Sequence, residues 1–164
     1  EMLNHVMIGS NDIEKTRNFY NPVLGVLGAG DPMEHVNETG QTRLFYIHDG
    51  STFSISEPIN GELVSIANGS TIGFVCDSPE QVKEFHDTAV ANGGISVEDP
   101  PGPRDGTMGL MHLCYFLDPV ASIDEPAPLH WIWDKPETLR RRWEVSRCDR
   151  ACKLLNCNFE RADG

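Results

Sequence analysis

Four positions in the 164-residue chain carry side chains whose types could do chemistry together: His5, Glu57, Thr71 and Glu125. An internal repeat nominates them. Shifted by 66, residues 5–19 lie over 71–85, so that Glu14 meets Glu80, Arg17 meets Lys83 and Phe19 meets Phe85. At an offset of 68, Ser54-Ile55-Ser56-Glu57-Pro58 matches Ser122-Ile123-Asp124-Glu125-Pro126. A repeat this long is one supersecondary unit used twice, and paired units set equivalent side chains around a shared cleft. An imidazole and two carboxylates there could hold an ion or move a proton. Without a cation the two carboxylates would repel, and one would have its pKa raised. The plain alternative is that His5 is a hydrogen-bonded structural histidine. Glu57 and Glu125 would then simply end strands beside Pro58 and Pro126.

Each copy reads as β-α-β-β-β. In the first, residues 3–8 alternate as a strand does, and Asp12 N-caps a helix striped by Ile13, Thr16, Phe19, Tyr20, Val23 and Leu24. Pro22 is expected to bend or end that helix early. Strands follow near 33–36, 43–47 and 52–56, the last two split by the turn His48-Asp49-Gly50-Ser51. Residues 57–69 link the copies. In the second, 70–76 form a strand and Ser78-Pro79-Glu80-Gln81 is a capping box with proline at the first helical position. Val82, Phe85, Ala89 and Val90 make the apolar stripe, which leaves His86 at the surface, and Gly93-Gly94 stops the helix. Residues 95–98 are a short strand, 99–107 are too proline-rich for regular structure, and 110–117 and 121–124 are the last two strands. The expected layout is one domain over residues 1–134, in modules 1–66 and 67–134. Residues 135–164 are a C-terminal helical extension.

Charge narrows the partners. The formal net charge is −12. Residues 135–164 hold eight of the thirteen basic residues against five acids, hence +3, which leaves −15 on residues 1–134. A body so acidic repels nucleic-acid phosphates and anionic membrane surfaces. No apolar run approaches the roughly 20 residues that cross a bilayer, and no charged-then-apolar leader opens the sequence. The expectation is a cytoplasmic protein with neither nucleic-acid nor membrane partners. The five cysteines (76, 114, 148, 152 and 157) are expected to be reduced thiols, and Cys148, Cys152 and Cys157 fit no familiar metal spacing.

Taken in order, Leu3-Asn4-His5, Phe53-Ser54-Ile55-Ser56-Glu57-Pro58, Asn68-Gly69-Ser70-Thr71, Phe85-His86 with Ala91-Asn92-Gly93-Gly94, and Tyr115-Phe116-Leu117-Asp118-Pro119 resemble the vicinal oxygen chelate superfamily. That superfamily holds glyoxalase, the bleomycin-resistance proteins and the extradiol dioxygenases. The resemblance covers residues 1–126. It implies an α+β fold in which two tandem βαβββ modules form a half-open barrel around a central groove, here with an added C-terminal helix. Two departures stand out. Thr71 occupies the second-module position that often holds a histidine, and Asp118-Pro119 is followed by Val120-Ala121-Ser122 in place of a residue and then Gly-Asn.

By resemblance, His5, Glu57 and Glu125 would ligate a divalent ion (zinc, nickel, cobalt or manganese), with Thr71 in place of a fourth ligand and beside the substrate groove. A threonine hydroxyl is a poor ligand, so water or substrate would fill that position, or the metal would be absent. With metal bound, Glu57 or Glu125 could act as base on a proton alpha to a carbonyl. Trp131, alternating with Ile132 and Trp133, could close the groove or a dimer interface. Two functions are therefore expected to compete. One is a glyoxalase-like protein with metal-assisted lyase or isomerase chemistry on a carbonyl compound. The other is a metal-free protein that sequesters a small molecule, as the bleomycin-resistance members do. Either would be a homodimer with a small-molecule ligand.

Overall fold

The computed structural model describes residues 3–65, 69–106, 109–119 and 129–134, and for 129–134 the backbone. The order is β1 (His5–Gly9), α1 (Ile13–Gly25), β2 (Met33–Val36), β3 (Thr42–His48), β4 (Ser51–Ser56), β5 (Thr71–Cys76), α2 (Pro79–Ala91), β6 (Ile95–Gly106), β7 (Gly109–Leu117) and β8 (Leu129–Asp134). The helices begin 66 residues apart, as the repeat requires. Asp12 caps α1 by accepting from the Lys15 amide at 2.9 Å, and Ser78 caps α2 by accepting from the Gln81 amide at 3.1 Å. Such caps satisfy amides that a helix start leaves without partners. Of the two outcomes expected at Pro22, an early end is excluded, because α1 runs through it to Gly25. Burial of Phe19, Tyr20, Val23 and Leu24 on either side outweighs the one lost backbone bond.

The strands form two four-stranded sheets, ordered β1-β4-β3-β2 and β5-β8-β7-β6. In each, the opening and closing strands run parallel at one edge and the others antiparallel. Asp49 and Gly50, with φ of 47° and 78°, turn β3 into β4. Two left-handed residues are what a two-residue hairpin needs, and Asp-Gly supplies them cheaply. The proline-rich stretch expected to be irregular is instead most of β6. It pairs with β7 past a break in register between Val97 and Gly102. Because β6 is an edge strand, its prolines withhold donors from solvent rather than from a neighbour.

The closing strand of the second module also differs from expectation. Residues 121–124 lie outside the described residues, and the strand beside β5 is Leu129–Asp134. His5 pairs with Thr52 and its equivalent Thr71 pairs with Leu129. By register, then, Thr52 matches Leu129, and Glu57 matches Asp134 rather than Glu125. The expected C-terminal helix falls outside the described residues.

Both helices pack inward on one core. Its rings close a circuit across the modules: Tyr20–Phe53 at 5.1 Å between centroids, Phe53–Phe74 at 5.3 Å, Phe74–Phe85 at 5.7 Å, Phe85–Phe116 at 5.8 Å, Phe116–Phe19 at 6.3 Å and Phe19–Tyr20 at 5.0 Å. Aromatic side chains contribute large buried areas and favour such tilted contacts. Two polar ties cross the same seam. The Tyr20 hydroxyl donates to the buried Asp118 carboxylate, and Gln81 Nε2 donates to the Val26 carbonyl at 2.9 Å. His86, expected at the surface, is 8 % exposed, with Nε2 2.8 Å from the Ser96 hydroxyl. It anchors α2 to β6. The result is an α+β fold of two βαβββ modules in a half-open barrel, helices on one side and open sheet faces on the other.

Candidate functional site

Of the nominated residues that the structure describes, His5 and Glu57 lie at opposite ends of the β1–β4 pair. His5 begins β1, exposed, with Nδ1 3.1 Å from Asn4 Oδ1. A carbonyl acceptor there favours the Nδ1–H tautomer and leaves Nε2 as an acceptor. Thr71 begins β5, also exposed. Glu57 follows the other end of β4. Its Oε2 accepts from the Thr42 amide at 2.6 Å and its own amide donates to the Thr42 carbonyl at 3.1 Å, closing the β3–β4 ladder. Five residues separate Glu57 from Thr52, the register partner of His5, or roughly 16 Å of extended strand. One ion needs its ligands about 2 Å away, so His5 and Glu57 do not fit a common metal. Among the described residues no three His, Cys, Asp or Glu side chains cluster as a metal site would require. Glu125 lies outside the described residues. Trp131 is in register between Gly73 and Tyr115, and its side chain is likewise outside them.

A cavity of about 370 Å³ does open at the seam between the modules, and His5 is on its wall. Leu24 from the last turn of α1, Leu27 and Ala29 from the loop after it, Tyr46 and Phe53 from the first sheet, and Ile72 and Phe74 from β5 give it an apolar lining. His5, His48, Asp49, Thr52, Asp77 and Gln81 supply the polar groups. The chain builds this wall for local reasons. The β3–β4 turn carries His48 over the loop after α1, where a Cβ on Gly28 would meet its ring at 3.3 Å. The α2 cap draws Gln81 inward, with Oε1 taking the Asp77 amide at 2.6 Å. Among the described residues, two aspartates and no lysine or arginine line the cavity, so their potential favours neutral or cationic guests.

Other reactive types nearby are quiet. Burial pushes the Tyr46 phenol up to about 12, and its hydroxyl donates to Asn21 Oδ1 at 2.8 Å. Burial likewise holds the Cys76 and Cys114 thiols up at about 12, so neither offers the thiolate that nucleophilic or metal chemistry needs. The lining residues Leu24, Leu27, Ile72 and Phe74 escaped the sequence reading because a cavity wall and a filled core use the same side chains. Gln81 was visible only as a cap.

The family model for the Glyoxalase/Bleomycin resistance protein/Dioxygenase superfamily matches residues 2–120. The chain belongs to that superfamily. No curated protein matches the chain by sequence. A solved glyoxalase/bleomycin resistance protein from Albidiferax ferrireducens is similar at 40% identity and TM-score 0.71, over 82% of this chain and 100% of that one. Two more distant superfamily structures share the fold. A glyoxalase-related enzyme from Fulvimarina pelagi is 17% identical with TM-score 0.59, over 83% of this chain and 89% of that one. A mutant fosfomycin resistance protein from Listeria monocytogenes, complexed with Mn(II) and a dihydroxypropylphosphonic acid, is 18% identical with TM-score 0.55, over 84% and 95%. The superfamily thus spans enzymes and resistance proteins, and a shared fold does not choose between them.

Proposed function

We propose that the chain is a metal-independent small-molecule binding protein whose ligand, apolar or aromatic and neutral or cationic, occupies the seam cavity. The observation that carries this is the cavity itself. At about 370 Å³, with an apolar body and a few polar groups at its edge, it falls in the lower part of the roughly 300–1,000 Å³ range of small-molecule sites. The ligand's body lies against Leu24, Leu27, Phe53, Ile72 and Phe74, and its polar end meets Asp49, Asp77 and Gln81. The competing function, metal-assisted lyase or isomerase chemistry on a carbonyl compound, has His5 on the cavity wall in its favour. Against it stands Glu57, engaged with Thr42 at the far end of β4. The test is titration with the neutral fluorophore N-phenyl-1-naphthylamine, with and without EDTA. One-to-one binding unaffected by EDTA is expected, and Ile72→Trp, which fills the cavity, should weaken it at least about tenfold, a loss of roughly 1.4 kcal/mol. The melting temperature of the variant checks that it folds. Binding that needs a metal, or that survives Ile72→Trp in a folded protein, contradicts the proposal.

A further inference from the structure

The contact that ties α2 to β6 also lines up three side chains outside the lining of the seam cavity. His86, buried on α2, holds the Ser96 hydroxyl 2.8 Å from Nε2 and Asp87 Oδ1 3.3 Å from Nδ1. Ser96 itself is exposed. It pairs in register with Phe116, which is buried in the core between sheet and helices. Directly paired residues lie on one face of a sheet. Ser96 therefore points to the helix side of the second sheet, on its outer strand, away from the open sheet faces.

A hydroxyl, an imidazole and a carboxylate joined in that order are the parts of a nucleophile, its general base and the group that orients the base. The neighbours fix the proton positions. Asp87 also meets the Lys83 ammonium. Lys83 first and then His86 hold its carboxyl below the usual range, so it is an ionised acceptor. The carboxylate takes the Nδ1 proton, Nε2 keeps its lone pair, and the Ser96 hydroxyl donates to Nε2. A purely structural tie would work as well with the ring proton on Nε2. Only the arrangement that Asp87 selects draws the proton away from the serine oxygen. Glu98 and Asp99, both exposed, follow on the same strand and disfavour anionic reactants.

We propose that Ser96 is a nucleophile that accepts the acyl group of an uncharged activated ester, with His86 as its general base and Asp87 positioning the ring. Ser96 Oγ bonds to the ester carbonyl carbon as its proton passes to His86 Nε2. The tetrahedral adduct then expels the aryloxide or alkoxide, which takes the proton back from Nε2. Ser96 ends as an ester and His86 as a neutral ring, and nothing is oxidised or reduced. This reactivity is independent of the binding function of the seam cavity.

The experiment treats the full chain with p-nitrophenyl acetate, follows nitrophenolate release, and locates acetyl groups by peptide mass mapping of samples quenched early in acid. Acetyl on Ser96 is expected, and Ser96→Ala should abolish the release that accompanies it. Asp87→Asn, at an exposed position, should slow Ser96 acetylation at least about tenfold, and His86→Gln at least about a hundredfold. NMR of the isotope-labelled His86 ring gives a readout that a merely structural Asp87 would not move. The neutral ring should carry its proton on Nδ1 in the native chain, and Asp87→Asn should shift it toward Nε2. Ser96→Ala and Asp87→Asn keep the test valid should the His86 variant fail to fold. Acetyl found on lysines with Ser96 unlabelled, an unchanged rate in Asp87→Asn, or an Nε2-protonated ring in the native chain overturns the proposal.

Discussion

The two modules share a topology but reach it by different connections, and that contrast accounts for the asymmetry of the seam at which the cavity opens. In the first module, β3 turns directly into β4 through Asp49-Gly50. In the second, residues 118–128 separate β7 from β8. The opening strands and helices are 66 residues apart, while the register-equivalent positions of the closing strands are 77 apart. Strand pairing, rather than sequence spacing, preserves the duplicated architecture. Equivalent residues have also diverged in task. Arg17 reaches across to Glu34 on β2, whereas its counterpart Lys83 pairs along its own helix with Asp87. Lys15 is exposed, whereas its counterpart Gln81 both caps α2 and ties the seam at Val26. The cavity opens at this asymmetric seam, where the helices' shared core gives way to the edge strands β1 and β5.

The equivalence of the modules is broken most severely at their matching phenylalanines. Phe19→Ala and Phe85→Ala should each cost about 3–5 kcal/mol. Because both rings belong to one aromatic circuit, urea unfolding followed by fluorescence and by circular dichroism should show a single coincident transition. Two separated transitions would mean that the modules have independent cores. Next in size is the tie between Tyr20 and Asp118, which burial and the carboxylate together keep protonated on the phenol by raising its pKa well above the usual value. Tyr20→Phe removes a hydrogen bond to a buried charge and should cost about 1.5–3 kcal/mol by the same urea assay.

Gln81→Ala sharpens the asymmetry. It deletes two hydrogen bonds and should cost about 1–2 kcal/mol, while the equivalent Lys15→Ala should change stability by less than about 0.5 kcal/mol. The smallest expected effect is at Asp87, whose carboxyl the Lys83 ammonium and then His86 hold below the usual range. A depressed carboxylate pKa stabilises the fold above the ordinary value and loses that contribution as pH falls through the depressed one. Asp87→Asn should therefore cost about 0.3–0.5 kcal/mol at neutral pH, less in high salt. Melting curves at pH 7 and pH 2 should show the difference vanish at the acid end.

The repeat made much of the fold legible. Local chemistry was enough for both helix caps, the Asp-Gly hairpin and the β-α-β-β-β order, because each depends on neighbours in sequence. Three features depended on distant partners and were misread. Residues 121–126 copy the letters around Glu57, but the strand that pairs with β5 lies further on. The prolines of 99–107 are compatible with a strand only because β6 is an edge. His86 looks like a surface residue on its helix until Ser96 is laid across it. His5, named from its type and position, lies on the wall of the seam cavity. Glu57 has the right type for chemistry, but its carboxylate is engaged with its own hairpin. The apolar cavity wall was invisible, since Ile72 and Phe74 look in sequence like any core strand.

The most direct test of the seam site is isotope-filtered NMR of the chain bound to N-phenyl-1-naphthylamine. Ligand protons should show contacts to side chains of both modules, Leu24 and Leu27 from the first and Ile72 and Phe74 from the second. Contacts confined to one module, or to residues away from the seam, would contradict a binding cavity built between the two.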